Sequence, residues 1–409
     1  MNDWSLESSS QIFTALRPGL TVDDINQLQK DFEVRHGLNS RDGKIHVLMI
    51  GGDLYGCGHI RISIPTKYLN REPDIVAFPT IRVTPELVQW AHILVWQRQH
   101  KDEFVHIRDV AARTGRINVF ELDDNLHAVP PLNPAYVHYH KGTKPYNDML
   151  NWIRASHLMT VTREPLGEFY KKLCGTPYVI LPNSIDFETL PAEQRNDTGR
   201  LRIGWVGSST HQEDLELIVY AITELQKEFD FDFVMMGWDG IDRVKVQDKE
   251  MELHDYMKGV KREFHKFVDV ADYMNALASL KLDIGLCPVV NNLFNASGKS
   301  NIKWLEYSSL HIPSIVSKVS CYTDSVKPNE TALVAEKEVD WYKQIKKLIE
   351  NPELRKQLAE NAYNDVKQHY DISKNISLWA GLYRNLSSMR HVPPILSPVP
   401  GDIPHQNGV

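Results

Sequence analysis

The sequence has little of what builds a disulfide, metal or membrane protein. Its four cysteines, Cys57, Cys174, Cys287 and Cys321, are scattered, with no CxxC pair and no Cys/His spacing of a metal site. They read as small buried or half-buried side chains in a reducing compartment, so a cytoplasmic protein is expected. No apolar run approaches the roughly 20 residues that span a bilayer, and the acidic, serine-rich first segment has no signal-peptide pattern. Positive charge is not in excess. With 46 Lys+Arg against 53 Asp+Glu the net charge is −7, which argues against attachment to nucleic acid or an anionic membrane by bulk charge. The histidines at 92, 100, 106, 138 and 140 form no ligand spacing, and no repeat of solenoid period occurs.

What is present is an ordinary globular composition, 42% hydrophobic and 24% charged, in a 409-residue chain too long for one core. Short apolar runs at 45–50, 75–78, 93–96, 117–122, 158–161 and 178–181 read as buried parallel strands. Helix-compatible segments at 60–69, 104–114, 146–156 and 165–172 alternate with them. A second half repeats the rhythm, with strands at 202–206, 232–236, 263–267, 284–288, 314–316 and 332–334. Its helices are expected at 212–229, 270–280, 300–310, 339–350 and 352–370. This predicts an α/β chain with two Rossmann-like parallel-sheet domains facing an interdomain cleft. The expected division is an extension 1–43 with a helix around 22–36, a first domain 44–185, a hinge 186–200 and a second domain 201–370. An amphipathic helix 371–390 and a disordered, proline-rich tail 391–409 follow.

Open sheets bind ligands at the carboxyl ends of their strands, so motifs are sought there. After the first strand, Gly51 to Arg61 carries Gly56 and Gly58, which let backbone approach a ligand, and Arg61 in the next helical turn; it is not a GxGxxG fingerprint. Asp123 and Asp124 end the fourth strand. They suit an acceptor hydroxyl or, with less support, a divalent metal, while capping and solvation are the plain alternative. Gly207, Ser208, Ser209 and His211 form a strand–loop–helix that suits phosphate but lacks a P-loop's Gly-Lys-Ser/Thr ending. Finally, Ser297-Gly298-Lys299-Ser300-Asn301-Ile302-Lys303-Trp304-Leu305-Glu306-Tyr307 places Lys299, Lys303 and Glu306 at i, i+4, i+7 on one helical face. A helix N-terminus with two lysines and a carboxylate is a seat for a nucleoside diphosphate-sugar; a solvated Lys/Glu face is the bland alternative.

These motifs together resemble the GT-B nucleotide-sugar glycosyltransferases, in particular the broad family-four-like group, over roughly residues 44–390. The resemblance lies in "WVGSSTHQEDL", "DIGLCPV", "FNASGKSNIKWLEYSSLHIPSIVS" and the turn with Pro182, Asn183, Ile185 and Asp186. "GCGHIRISIP" and "FELDDNLHAVPPLNP" look like the first domain of relatives from phages and polysaccharide loci. The resemblance implies a hexosyl- or pentosyltransferase with donor in the second domain, acceptor in the first, retention of configuration and no bound metal or other cofactor. It also implies that the last helix, with Trp379 and Tyr383, crosses back onto the first domain. Many relatives carry two glutamates seven residues apart; Glu306 matches the second, but the first position is Gly298. Lys299, Ser300 and Lys303, helped by Gly207–Ser209, are then left for the diphosphate, with Lys303 catalytic and Asp123 or Asp124 positioning the acceptor.

A glycan, lipid-linked sugar or protein acceptor ranks ahead of DNA, because the densest basic segment, 242–266, is nearly balanced by acids. A phage-type DNA-base glycosyltransferase, a sugar-nucleotide epimerase, a metal-dependent GT-A enzyme and a non-catalytic GT-B-like binding protein stand as rivals.

Overall fold

The computed structural model describes residues 42–53, 56–246 and 249–389. The expected helix at 22–36 and the proline-rich tail lie outside the described residues.

Strands β1 (Ile45–Ile50), β2 (Ile75–Thr80), β3 (Ile93–Gln97), β4 (Ile117–Leu122), β5 (Leu158–Val161) and β6 (Tyr178–Ile180) form one sheet in the order β2-β1-β3-β4-β5-β6. Every pairing is parallel. β3 and β4 are buried along their whole length, as sequences such as ILVWQ and INVFEL require when helices cover both faces. Covering elements include helices α1 (Ile64–Leu69), α2 (Lys144–Arg154) and α3 (Glu164–Cys174).

The second sheet runs β11-β8-β7-β12-β13-β14, again parallel, from β7 (Leu201–Gly207), β8 (Phe231–Gly237), β11 (Glu263–Lys266), β12 (Ile284–Cys287), β13 (Ser314–Ser317) and β14 (Leu333–Ala335). Helices α4 (Gln212–Glu228), α5 (Tyr273–Ser279), α6 (Leu293–Ser297), α7 (Ile302–Ser309), α8 (Glu338–Glu350) and α9 (Pro352–His369) connect and cover it. An antiparallel hairpin, β9 (Ile241–Val246) and β10 (Lys249–Asp255), interrupts this plan and was not expected. Its alternation of apolar and charged residues is a strand signal hidden inside the segment noted only for its charge.

In both sheets the chain enters at an inner strand, builds outward, then returns to that strand's other side. The two reversals fall between β1 and β3 and between β7 and β12, which is where open sheets seat ligands.

The chain crosses between domains twice. At the crossing, Ile185 N donates to Tyr370 O (2.7 Å) and Ile372 N donates to Ile185 O (3.0 Å). Helix α10 (Ile372–Ser388) then lies on the first domain, where Ile376, Trp379, Tyr383 and Leu386 pack with Val47, Met49, Ile62 and Ile93. The crossover helix implied by the resemblance is therefore present. In the opposite sense, Phe294 of α6 is buried in the first domain's core beside Leu126 and Leu166.

Candidate active site

The second domain supplies one wall at the β7–β12 reversal. Lys303, in the first turn of α7, is buried and donates from Nζ to Val206 O at 2.6 Å, with the ammonium 4.8 Å from the Trp205 ring centre. A β-carbon at Gly207 would meet the Trp205 ring at 2.6 Å and Lys303 Nζ at 3.2 Å, so glycine is what lets the loop lie against the lysine. An ammonium has three donors and only one is committed here. Burial depresses the Lys303 pKa, since the enclosed cation lacks water. One turn on, Glu306 Oε2 accepts from Tyr273 OH of α5 at 2.8 Å, and burial pushes its pKa up to about 7.

The loop after Gly207 is organised by hydroxyls and one His/Asp pair. Ser208 Oγ and Thr210 Oγ1 share a hydrogen bond at 2.8 Å. His211 Nδ1 is 2.7 Å from Asp214 Oδ2, while Asp214 Oδ1 accepts from Val290 N at 2.7 Å. Burial, reinforced by the nearby Lys303 charge, pushes His211 down to about 4, so it is neutral at pH 7 and donates its Nδ1 proton to Asp214.

The first domain supplies the facing wall. Arg98, directly after β3, has φ +50°, a left-handed conformation uncommon for a side-chain-bearing residue. Its Nε donates to Asp123 Oδ1 at 2.6 Å and its Nη2 lies 3.7 Å from Asp124 Oδ2. Although burial opposes ionisation, Arg98 holds the Asp123 pKa below the usual carboxylate value. Gly58 is sterically required, because a β-carbon there would lie 1.9 Å from Asp53 O, and Gly56 has φ +37°.

Arg61 is not on the cleft wall where it was expected. It is buried, donating from Nε to Glu121 Oε1 (2.6 Å) and from Nη1 to Leu181 O (2.6 Å) and Asn183 Oδ1 (3.1 Å), 5.0 Å from the Trp379 ring centre. A π-helical turn, His59–Ser63, rotates the side chain inward to meet the buried carboxylate. Burial raises the Glu121 pKa to about 7, against the pull of Arg61.

The two walls touch along residues 296–300. Lys299 Nζ donates to Asp124 Oδ2 (3.3 Å), Asn125 Nδ2 to Ser297 Oγ (2.7 Å) and Asn183 Nδ2 to Ser300 Oγ (2.9 Å). Arg163, at the start of α3, donates to Lys299 O (2.9 Å) and Asp324 Oδ2 (2.6 Å). Lys299 precedes α7, which starts at Ile302 rather than at Ser300, so it does not share the helical face of Lys303 and Glu306 as the spacing predicted. The turn is held open by the first domain: a β-carbon on Gly298 would sit 2.3 Å from Asn125 N. Beside this seam, a narrow cleft of about 10 Å³, room for about one water, is lined by Pro130, Leu132, Asn133, Thr210, Asp214 and Asn295, among others.

Lys303, Glu306, Gly207 and Ser208 thus share the second-domain wall, and Asp124 meets Lys299 across the seam. Arg98, Arg163, Asn183 and Tyr273 were given no role by sequence reasoning. Arg98 and Asn183 follow strand ends and could have been found by that position alone; nothing local marks Tyr273. Among the described residues no group of three or more His, Cys, Asp and Glu side chains converges to hold a metal, and no helix is long and apolar enough to cross a membrane.

Residues 212–380, less than half of the chain, match the model of a family described as glycosyl transferase-like. No curated protein matches the sequence. Among solved structures, sucrose-phosphate synthase of Thermosynechococcus elongatus is similar with a TM-score of 0.61 at 13% identity, covering 85% of this chain and 99% of that one. HepE of Anabaena, in complex with UDP and glucose, gives 0.58 at 12% identity, covering 84% and 99%. A glycosyltransferase of Rickettsia africae gives 0.55 at 12% identity, covering 84% and 98%. At such identities the likeness is one of fold, and the fold is GT-B.

Proposed function

We propose that the chain transfers a sugar from a nucleoside diphosphate-sugar to an acceptor hydroxyl. The observation that carries this is Lys303, a buried ammonium with one hydrogen bond, set against the Gly207 loop at the second sheet's reversal. A buried, under-coordinated cation favours an anion, and a diphosphate there would restore the electrostatic partner that burial removed. Glu306 with Tyr273 lies one helical turn away, where a carboxylate accepts from ribose hydroxyls. The match of residues 212–380 to a glycosyl transferase-like family, and the UDP and glucose in the similar HepE structure, support the same reading.

In this mechanism Lys303, assisted by Lys299, Ser300 and the backbone N–H groups opening α7, stabilises negative charge as the nucleoside diphosphate departs. Charge-assisted hydrogen bonds contribute about 1.5–3 kcal/mol each, or roughly ten- to hundredfold in rate. The lysines carry the charge compensation, so transfer is proposed to proceed without a bound metal, and with retention of configuration. His211, neutral and oriented by Asp214, is a hydrogen-bonding partner rather than a countercharge. The Gly56–Gly58 loop and the Asp123/Asp124 wall face the acceptor, with Asp123 positioned by Arg98. A glycan, lipid-linked sugar or protein is proposed as acceptor ahead of DNA, in the cytoplasm.

A mass-spectrometric screen of UDP-, GDP-, ADP- and TDP-sugars for released nucleoside diphosphate tests this. Release that disappears in Lys303→Ala and Glu306→Ala is expected. Release unchanged in both variants would remove the site assignment, and a converted sugar nucleotide without transfer would favour an epimerase.

A further inference from the structure

The seam between the domains contains two hydrogen-bond acceptors with no partner among the described residues, Asp124 Oδ1 and Asn125 Oδ1. Asn125 is fully buried. Its amide orientation follows from its neighbour: Ser297 Oγ spends its proton on Leu293 O at 2.5 Å, so it can only accept from Asn125, at 2.7 Å. Nδ2 therefore faces Ser297 and Oδ1 is left over. In Asp124, Oδ2 is held by Lys299 at 3.3 Å while Oδ1 has no partner. Buried acceptors are usually paired, so these two call for a donor, either a water or a ligand hydroxyl; unlike the unpaired groups inside the domain cores, they lie where the two domains meet.

The chemistry of the missing ligand is restricted. Both free atoms accept, and one belongs to a carboxylate, so a phosphate, which brings acceptors and negative charge, does not fit. Adjacent O–H donors on a neutral ring do. The position agrees: the Asn125 backbone abuts Gly298, in the turn that leads into the helix carrying Lys303. A side chain at 298 would run into Asn125, so the space beyond that turn, towards the Gly207 loop and Lys303, is lined by the 124–125 segment of the first domain rather than by residue 298.

We infer that Asp124 and Asn125 receive hydroxyl groups of the donor's sugar, so that sugar recognition comes from the first domain and nucleotide recognition from the second. This rests on the nucleotide-sugar reading above and reassigns Asp124 from acceptor to donor.

The test compares Asp124→Asn and Asn125→Ala with the unaltered protein. Calorimetry is run with UDP, GDP, ADP and TDP, and steady-state kinetics with the nucleotide sugar that the release screen identifies. Bare nucleoside diphosphate affinity should stay within about threefold in Asn125→Ala, which also reports intact folding, and should not fall in Asp124→Asn, which releases Lys299 to the diphosphate, while in both kcat/KM for the nucleotide sugar falls about ten- to hundredfold with the acceptor KM unmoved. Parallel losses for bare and sugar-bearing nucleotides, an unchanged kcat/KM, or an effect confined to the acceptor KM would each overturn the inference. Loss of bare-nucleotide affinity in Lys303→Ala shows the underlying reading to be sound in the same experiment. If the unaltered protein binds none of the four nucleotides, that reading fails and the inference falls with it.

Discussion

Gly298 of the second domain and Asn125 of the first are in backbone contact: the position of a β-carbon on Gly298 is 2.3 Å from Asn125 N and 2.8 Å from Phe294 O. With Asn125 Cβ at 2.7 Å the obstructing atoms are backbone or fixed to it, so no side-chain rotation relieves the contact. Gly298→Ala should therefore separate the seam or strain it, costing about 1–3 kcal/mol as overpacking does. Gly298→Glu, although it would restore the paired glutamates of the resembling group, should lose activity rather than gain it. Thermal melts and donor turnover check both.

Arg61 and Glu121 form a buried ion pair at 2.6 Å, with neither side chain appreciably exposed. Removing one partner of such a pair is expected to cost about 3–5 kcal/mol, because the other charge is left without compensation. Arg61→Ala should thus lower the melting temperature strongly. The double replacement Arg61→Met with Glu121→Leu should recover most of it. A variant of Arg61 that melts normally but binds acceptor poorly would return the residue to the cleft.

Glu306, with its pKa raised to about 7 by burial, gives donor binding a pH dependence. Its carboxylate accepts ribose hydroxyls and its protonated form does so less well. Donor affinity should rise with pH through about 7 and level off above, and Glu306→Gln should be weaker but flat across that range. Stability runs the other way: the folded pKa exceeds the ordinary 4.5, so the folded chain holds the extra proton between those values. The ionised form then destabilises the unliganded protein above pH 7, and Glu306→Gln should melt higher at pH 8.

His211 titrates in the opposite sense. Its folded pKa of about 4 lies below the ordinary 6.5, so the unfolded chain takes up the proton first as pH falls. Stability is intact above about pH 6.5 and declines towards pH 4, by about 3 kcal/mol. His127, also pushed down to about 4 by burial, shares this window. Denaturant unfolding between pH 7 and 4 should show a shallower decline in His211→Asn than in the unaltered protein.

Most of the twelve sheet strands were legible because buried parallel strands are continuous apolar runs, and runs such as IHVLMI and ILVWQ have no other comfortable home, whereas the exposed edge strand β11 (EFHK) was placed by the strand–helix alternation around it. Strand-end position likewise placed Gly207, Asp123 and Asp124 on the cleft. Glu306 and Lys303 were legible as one helical face because their i, i+3 spacing falls within α7. Local pattern could not say where α7 begins, so it put Lys299 on a face that the residue does not share. Nor could it separate Arg61 from the glycines beside it, since the inward turn answers to Glu121, sixty residues away. The seam itself was out of reach. Whether Gly298 is a vacancy or a contact depends on Asn125 arriving from another domain, and only the packing of two separately folded sheets brings those backbones together.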